Sequence, residues 1–217
     1  MNREGISIPP SDQILISNQL IRESKISWLE KRLKAMVIFS WTSAIRLGEL
    51  LSLDIEDICQ KRGKNYRINE VFFIREKAKR FPSGNRATGK VHVSRSTREA
   101  IRSYLNAAID YGVIEIPLRD DQPLFVSTWK KRLNKRTLQK NWHSLQRRAG
   151  IPEFRAYRWH DLRHTALTEI GEIGEVFDVR ALGRFRTMKN TIRYVHPSDE
   201  HIVELMDRVD RKKCRKK

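Results

Sequence analysis

If the segment Arg158-Trp-His-Asp-Leu-Arg-His-Thr-Ala-Leu-Thr168 opens a helix, His160, Arg163 and His164 stand at positions i, i+3 and i+4 and share one face. That face offers a titratable imidazole beside a guanidinium that is charged at any working pH. The pair suits a phosphate: arginine presents a planar fork to its oxygens, and histidine donates or moves a proton. Taken alone, the segment is read equally well as a basic surface turn with a satisfied histidine, so the rest of the chain has to decide.

Composition bounds the answer. The 217 residues suffice for one good-sized domain or two small ones. Lys and Arg number 44 against 26 Asp and Glu, a formal charge of +18 with a pI near 10.3. Such a charge points to a polyanionic partner, most often nucleic acid. The basic residues are spread along the chain instead of lining one amphipathic helix, which argues against a membrane surface. No apolar run approaches the ~20 residues needed to span a bilayer, and Met1-Asn-Arg-Glu-Gly5 lacks the apolar core of a signal peptide. Two lone cysteines, Cys59 and Cys214, form neither a disulfide framework nor a zinc site. The expectation is a cytoplasmic protein that binds nucleic acid.

Upstream of the opening segment, residues 1–27 read as a polar arm with a short helix around Asp12–Ser24. An apolar stripe of Trp28, Leu29, Leu33, Met36, Val37, Ser40 and Trp41 predicts a helix, and a second short one follows over Leu47–Leu53. Arg46 lies at their junction. Its spacing to Glu49 favours a structural ion pair over a ligand-facing charge. Asp54–Ile58 reads as a turn into strands at Val71–Ile74 and Val91–Val93. The hairpin between these strands carries Lys77, Lys79, Arg80, Arg86 and Lys90, either as a solvated loop or against a DNA backbone.

Ser96-Thr-Arg-Glu99 has the form of a capping box, predicting a helix that stops near Gly112. Pro123–Val126 reads as a short buried segment and Lys130–Arg136 as a solvated loop. Thr137 is placed to cap a helix that ends at Gly150-Ile-Pro152. Beyond the opening segment, helical stretches are expected at Val176–Leu182, Met188–Tyr194 and Asp199–Val209. The last presents Ile202, Leu205, Met206 and Val209 on one face. The fold class is therefore mainly α with a small antiparallel β-sheet: an arm over 1–27, a catalytic-type domain over 28–210 and a basic tail over 211–217.

Arg46, His160 and Arg163 are the residue types that would surround one phosphodiester. Lys77 is of the type to protonate a leaving oxygen, and Tyr194 to attack phosphorus with neighbouring cations favouring its phenolate. The chain has no acidic cluster, phosphate-binding glycine loop or Cys/His metal set, so metal-assisted and nucleotide-driven chemistry lack parts. Neither cofactor nor metal is expected.

Three blocks, Ala44-Ile-Arg-Leu-Gly-Glu-Leu-Leu-Ser-Leu53, His160-Asp-Leu-Arg-His-Thr165 and Leu182-Gly183 with Thr191-Ile-Arg-Tyr-Val-His196, resemble the signature blocks of tyrosine recombinases, the phage-integrase family. The resemblance runs from about Leu29 to Met206. It implies that Arg46, His160 and Arg163 bind and activate the scissile phosphate, and that Lys77 is the general acid for the 5′-hydroxyl. Tyr194 would form a 3′-phosphotyrosyl intermediate, and storing the phosphodiester energy there removes any need for ATP or metal. Glu49 would support the first arginine. The resemblance also implies a homo-tetramer on two DNA sites, with the segment after the tyrosine exchanged around the ring.

Two departures stand out. Arg184 occupies the place after Leu-Gly where the family usually has His or Trp; it can donate hydrogen bonds but cannot shuttle a proton near neutral pH. The family's N-terminal DNA-clamping domain has no counterpart, since only about 27 residues precede the catalytic-type region. That fits a fragment or a minimal recombinase of the kind that inverts fimbrial promoter switches. The expected function is site-specific DNA strand transfer. The alternatives are a degenerate family member that binds DNA without efficient cleavage, and a type IB topoisomerase-like nicking and closing enzyme.

Overall fold

The structure, a computed structural model, describes residues 5–23, 25, 27–62, 65–75, 88–116, 118–119, 121–195, 203, 206 and 207. Two units divide the chain, Met1–Ala166 and Leu167–Lys217. In the first, α1 (Pro10–Glu23) opens with proline, whose fixed φ suits a helix start and whose missing N–H costs nothing there. The helix buries Ile16 and Leu20 four residues apart and packs against α2 (Trp28–Ser43) and α6 (Lys135–Arg148). The Ser27 hydroxyl accepts the Leu29 amide at 3.2 Å to start α2, and Ala44, in the left-handed region at φ 48°, ends it. α3 (Leu47–Ser52) and the single turn α4 (Ile55–Ile58) follow. The Asp57 carboxylate accepts the Asp54 amide at 2.8 Å, so the expected turn at 54–58 is a capped helical turn.

Two antiparallel hairpins come next, β1 (Cys59–Arg62) with β2 (Asn65–Ile68) and β3 (Val71–Arg75) with β4 (Thr88–His92). The second matches the strands expected from sequence, with Phe72 opposite Val91. The first was not anticipated, because Cys59-Gln-Lys-Arg62 and Asn65-Tyr-Arg-Ile68 carry little apolar alternation. Lys90 lies in β4 and is exposed. Lys77, Lys79, Arg80 and Arg86 lie outside the described residues.

α5 (Arg95–Asp110) packs along α2. Its N-cap is Ser94 and not Ser96: the Ser94 hydroxyl accepts the Thr97 amide at 3.2 Å, and Glu99 pairs with Arg95 at 2.8 Å. The capping register therefore lies two residues earlier than expected, and it leaves Ala100, Ile101, Tyr104, Leu105 and Ala108 on the buried face. Gly112, at φ 65°, turns the chain out of this helix.

Leu124, Phe125 and Val126 are buried as expected, Tyr104 and Phe125 stacking at 5.5 Å. The 130–136 run is not simply solvated: Leu133 is buried, and Arg132 donates to the Leu51 and Leu53 carbonyls at 3.0 Å each. The cap of α6 is Asn134, whose side-chain oxygen accepts the Thr137 amide at 2.8 Å, in place of Thr137. After α6 come a 3-10 turn, Glu153–Arg155, and α7 (Trp159–Ile173), in which the unit boundary falls.

One core joins these elements. Trp142 and Trp159 meet edge to face at 5.7 Å. Both buried indoles are satisfied, Trp142 donating to the Tyr157 carbonyl at 2.7 Å and Trp159 to the Ser40 hydroxyl at 3.1 Å. Residues 5–23, read from sequence as part of a polar arm, are tied into this unit. Buried Asp12 accepts from the Tyr157 hydroxyl at 2.6 Å and pairs with Arg155 at 3.0 Å, while Glu23 pairs with Arg148 at 2.8 Å. The Arg148 hydrogen bond holds the Glu23 carboxyl below its usual range against an opposing push from burial.

The second unit holds the end of α7, then α8 (Val176–Gly183) and α9 (Met188–Ile192), which pack together. Arg184 closes α8 from the left-handed region at φ 51°. Of the C-terminal stretch expected to be helical, Val203, Met206 and Asp207 are described; they are helical and exposed, and Ile202, Leu205 and Val209 lie outside the described residues.

Candidate functional site

Local chemistry at two helix starts brings three of the predicted residues together in the first unit. Arg46 is the N-cap of α3. Glu49, three residues on, accepts the Arg46 amide at 2.9 Å and its guanidinium at 2.7 Å. The structural ion pair read from the spacing is thus present, and it also orients Arg46. At the start of α7 the buried Asp161 carboxylate accepts the Arg158 amide at 2.7 Å, satisfying a free first-turn donor. This fixes the turn that carries His160 and Arg163.

Arg163 is 4% exposed, and its guanidinium donates to the Ala44 carbonyl. Ala44 is the left-handed residue two positions before Arg46. A non-glycine residue there carries a backbone cost of order 1–2 kcal/mol, and such strain gathers where a site dictates geometry. The bend at Ala44 turns a carbonyl toward Arg163 and the following residues into α3, so one strained peptide links the two arginines.

His160 is exposed and meets His164 edge to face at 4.8 Å. Desolvation is the largest cause lowering its pKa; Arg163, Arg158 and Arg46 act in the same direction and Asp161 opposes them. Desolvation, with His160 and the arginines adding to it, pushes His164 down to about 4. Both imidazoles are neutral at pH 7, so each has one nitrogen that donates and one that accepts. The cluster therefore combines fixed positive charge with an uncharged proton carrier, which suits an incoming phosphate anion.

The N-terminal segment runs along this helix. The Ile8 amide donates to the Thr165 hydroxyl at 2.9 Å and the Ile6 amide to Asp161 at 3.4 Å. Gly5 lies so close to His164 that a β-carbon there would come within 1.8 Å of Nε2. Sequence reasoning missed Asp161, Ala44 and this segment. Asp161 alone was readable, as an acidic residue three positions after the cap residue Arg158.

Arg184 and Tyr194 belong to the second unit. One Arg184 guanidinium nitrogen donates to the Leu182 carbonyl at 3.2 Å. The half-buried Tyr194 ring stacks on Phe185 at 5.8 Å with a 12° interplanar angle. Gly171 abuts the Tyr194 carbonyl, where a β-carbon would come within 1.7 Å. Phe185 was not anticipated as a neighbour of the tyrosine. Lys77 lies outside the described residues. Among the described residues no group of three His, Cys, Asp or Glu is arranged to hold a metal ion, and no helix is long and apolar enough to cross a membrane.

Residues 16–201 match the profile of the phage integrase family. The chain belongs to that family. Its relatives include tyrosine recombinase XerC of Histophilus somni (strain 2336), 27% identical over 225 residues that cover 98% of this chain and 68% of that protein. XerC of Rickettsia prowazekii (strain Madrid E) is 23% identical, covering 92% of this chain and 57% of the relative. Among solved structures, the XerA recombinase superposes with a TM-score of 0.64 at 19% identity, over 95% of this chain and 64% of that one. XerH bound to a palindromic difH substrate gives 0.66 at 14% identity, over 94% and 53%. The mainly helical fold with small antiparallel sheets is therefore that of a phage-integrase-family catalytic domain, and the chain spans between about half and two thirds of the length of these proteins.

Proposed function

We propose that this integrase-family chain is a site-specific DNA recombinase that cleaves and rejoins double-stranded DNA through a 3′-phosphotyrosyl intermediate. The observation that carries the reading is the cluster of Arg46, Arg163 and a neutral His160, held by Glu49, Asp161 and the strained Ala44 peptide. Two fixed cations and a neutral imidazole suit the pentavalent phosphoryl charge, because they need little rearrangement as it develops.

In this reading the Tyr194 oxygen attacks phosphorus, forming the tyrosyl O–P bond as the P–O5′ bond breaks. Lys77 gives its proton to the departing 5′-oxygen, and a 5′-hydroxyl from a second strand later reverses the step. The phosphodiester energy is conserved, so neither nucleotide hydrolysis nor a metal is required. Arg184 donates to a phosphoryl oxygen in place of a proton-shuttling side chain. Four protomers on two DNA sites would carry out the exchange, with the Asp199–Val209 segment docking on a neighbour.

The test uses a pool of duplexes with randomised cores, each nicked so that the cleaved 5′ end diffuses away and rejoining is blocked. Wild-type protein is expected to leave detergent-resistant protein–DNA adducts whose recovered sequences converge on one site. Binding without any adduct would leave DNA recognition and remove the strand-transfer reading.

A further inference from the structure

Among the described residues, three that are not glycine have positive φ: Ala44, Arg184 and Lys130. Ala44 and Arg184 belong to the candidate site. Lys130, at φ 57°, lies elsewhere, in a tight hairpin between Val126 and Arg132, which form an isolated antiparallel bridge. The Ser127 amide donates to the Lys131 carbonyl at 2.7 Å, and the Lys130 amide to the Ser127 carbonyl at 3.0 Å. At its tip the hairpin displays Trp129, 83% exposed.

Nothing about the base of this hairpin is loose. Arg32, itself 3% exposed, donates to the Val126 carbonyl, and the Val126 amide donates to the Tyr104 hydroxyl at 3.2 Å. Arg132 donates to the Leu51 and Leu53 carbonyls at 3.0 Å and pairs with Asp54. A strained residue on an over-determined base therefore holds a large indole out in solvent. The other tryptophans are inside or partly so: Trp28, Trp142 and Trp159 are at most 7% exposed, and Trp41 is half-buried. Exposing an indole forfeits the stabilisation its burial would give.

Position and charge indicate which partner. Arg132 fastens the hairpin to the C-terminal end of α3, and Arg46 caps the other end of that helix. Six helical residues span roughly 9 Å at 1.5 Å each, so hairpin base and Arg46 fall well within one turn of B-DNA, about 34–36 Å. Lys130, paired with Glu115 at 3.2 Å, and Lys131 follow the indole, and α6, which begins at Lys135, contains no acidic residue. An aromatic tip among cations matches a duplex, whose grooves admit an apolar wedge between flanking phosphates.

We propose that the Trp129 hairpin is a second DNA contact, its indole entering a groove of the duplex whose phosphate is held at Arg46, with Lys131 on a neighbouring phosphate. The proposal rests on the reading of the chain as a duplex-DNA-binding recombinase. It adds a wedge, held by the hairpin's own anchors, that senses groove shape and base stacking a short distance from the cleaved bond.

The test uses the full chain, an end-labelled mixed-sequence duplex at low salt, and acrylamide quenching of tryptophan emission. In the free protein Trp129→Phe is expected to remove most of the quencher-accessible emission. Saturating duplex should shield that same fraction in the wild type and change little in the Phe variant. Trp129→Ala should weaken duplex affinity roughly tenfold, the scale of one lost base–aromatic stack, without changing the salt slope, because no charge is removed. Lys131→Ala should instead lower that slope by about one phosphate contact. Duplex that saturates the protein, by label anisotropy, while Trp129 stays open to acrylamide overturns the wedge and spares the recombinase reading. Shielding that grows with protein concentration in the absence of DNA overturns it in favour of a protein contact. No duplex binding at all removes the recombinase reading and the wedge together.

Discussion

The two halves of the candidate machinery are built differently. Around Arg46, His160 and Arg163 the first unit supplies a continuous core, two tryptophans with satisfied indoles and carboxylates that accept the free amides at the starts of α3 and α7. Around Arg184 and Tyr194, Leu167 and Val179 are the only fully buried apolar side chains among the described residues of the second unit beyond Ala166. Ile173, Phe177, Ile192, Val203 and Met206 are exposed there. The Arg46, His160 and Arg163 cluster is held from several sides, whereas the described residues around the tyrosine bury little apolar surface. Segments with few buried contacts open at lower free energy than a core.

The largest expected effect separates chemistry from binding. Tyr194→Phe should abolish covalent adduct on nicked duplex while leaving duplex affinity within about twofold, because it removes one hydroxyl and keeps the ring stacked on Phe185. Undiminished adduct from the Phe variant would move the nucleophile elsewhere.

Next in size is the contrast in stability. Trp142→Ala empties a site with no exposed surface and loses the edge-to-face contact with Trp159, so it should cost about 3–5 kcal/mol in denaturant unfolding. Phe177→Ala in the second unit removes a ring that is 63% exposed and should fall within about 0.5 kcal/mol. Amide exchange should show the same division, slow through α2 and α5 and fast through α8 and α9. Equal protection in both sets would contradict the difference drawn between the halves.

A smaller effect is expected at the support of the proposed phosphate site. Asp161→Ala strips the start of α7 of its buried acceptor and should cost about 1–3 kcal/mol, lowering cleavage further than that loss of fold stability explains. Cleavage that merely tracks the folded fraction would make Asp161 a structural cap and nothing more.

Asp161 also marks how far the sequence could be read. The helices α1 to α3 and α5 to α9 were legible, as were β3 and β4, whose runs are β-prone. Caps were legible in kind but not always in register: the expected Ser96 and Thr137 gave way to Ser94 and Asn134, because several residues in each stretch are able to cap and core packing selects among them. β1 and β2 are too polar to declare themselves. The docking of residues 5–23 depends on partners up to 157 residues away in sequence, such as Ile8 with Thr165, and no local pattern encodes that. In the candidate site, Arg46, His160 and Arg163 announced themselves by residue type and motif, but the Ala44 peptide that joins the arginines is a plain alanine. Only the folded backbone gives it a role.

The smallest expected effect is a pH dependence originating in the first unit. His164 titrates at about 4 in the folded chain, against about 6.5 for an ordinary histidine in the unfolded one. Between those values the unfolded state binds more protons than the folded state, so stability rises with pH across that window and is lost as pH falls toward 4. His160 is shifted in the same direction and adds to the loss. One group contributes at most about 1.4 kcal/mol per pH unit, and partial exposure of both rings reduces this further. Denaturant unfolding at pH 7 and pH 4.5 should therefore show a modest loss that His164→Gln diminishes. Bound duplex should oppose it, because a phosphate beside His160 favours the imidazolium and raises its pKa. The DNA-bound protein should then lose less stability on acidification than the free protein. If DNA leaves the acid sensitivity unchanged, the phosphate is not seated beside His160, and the Arg46, His160 and Arg163 half of the comparison loses its ligand.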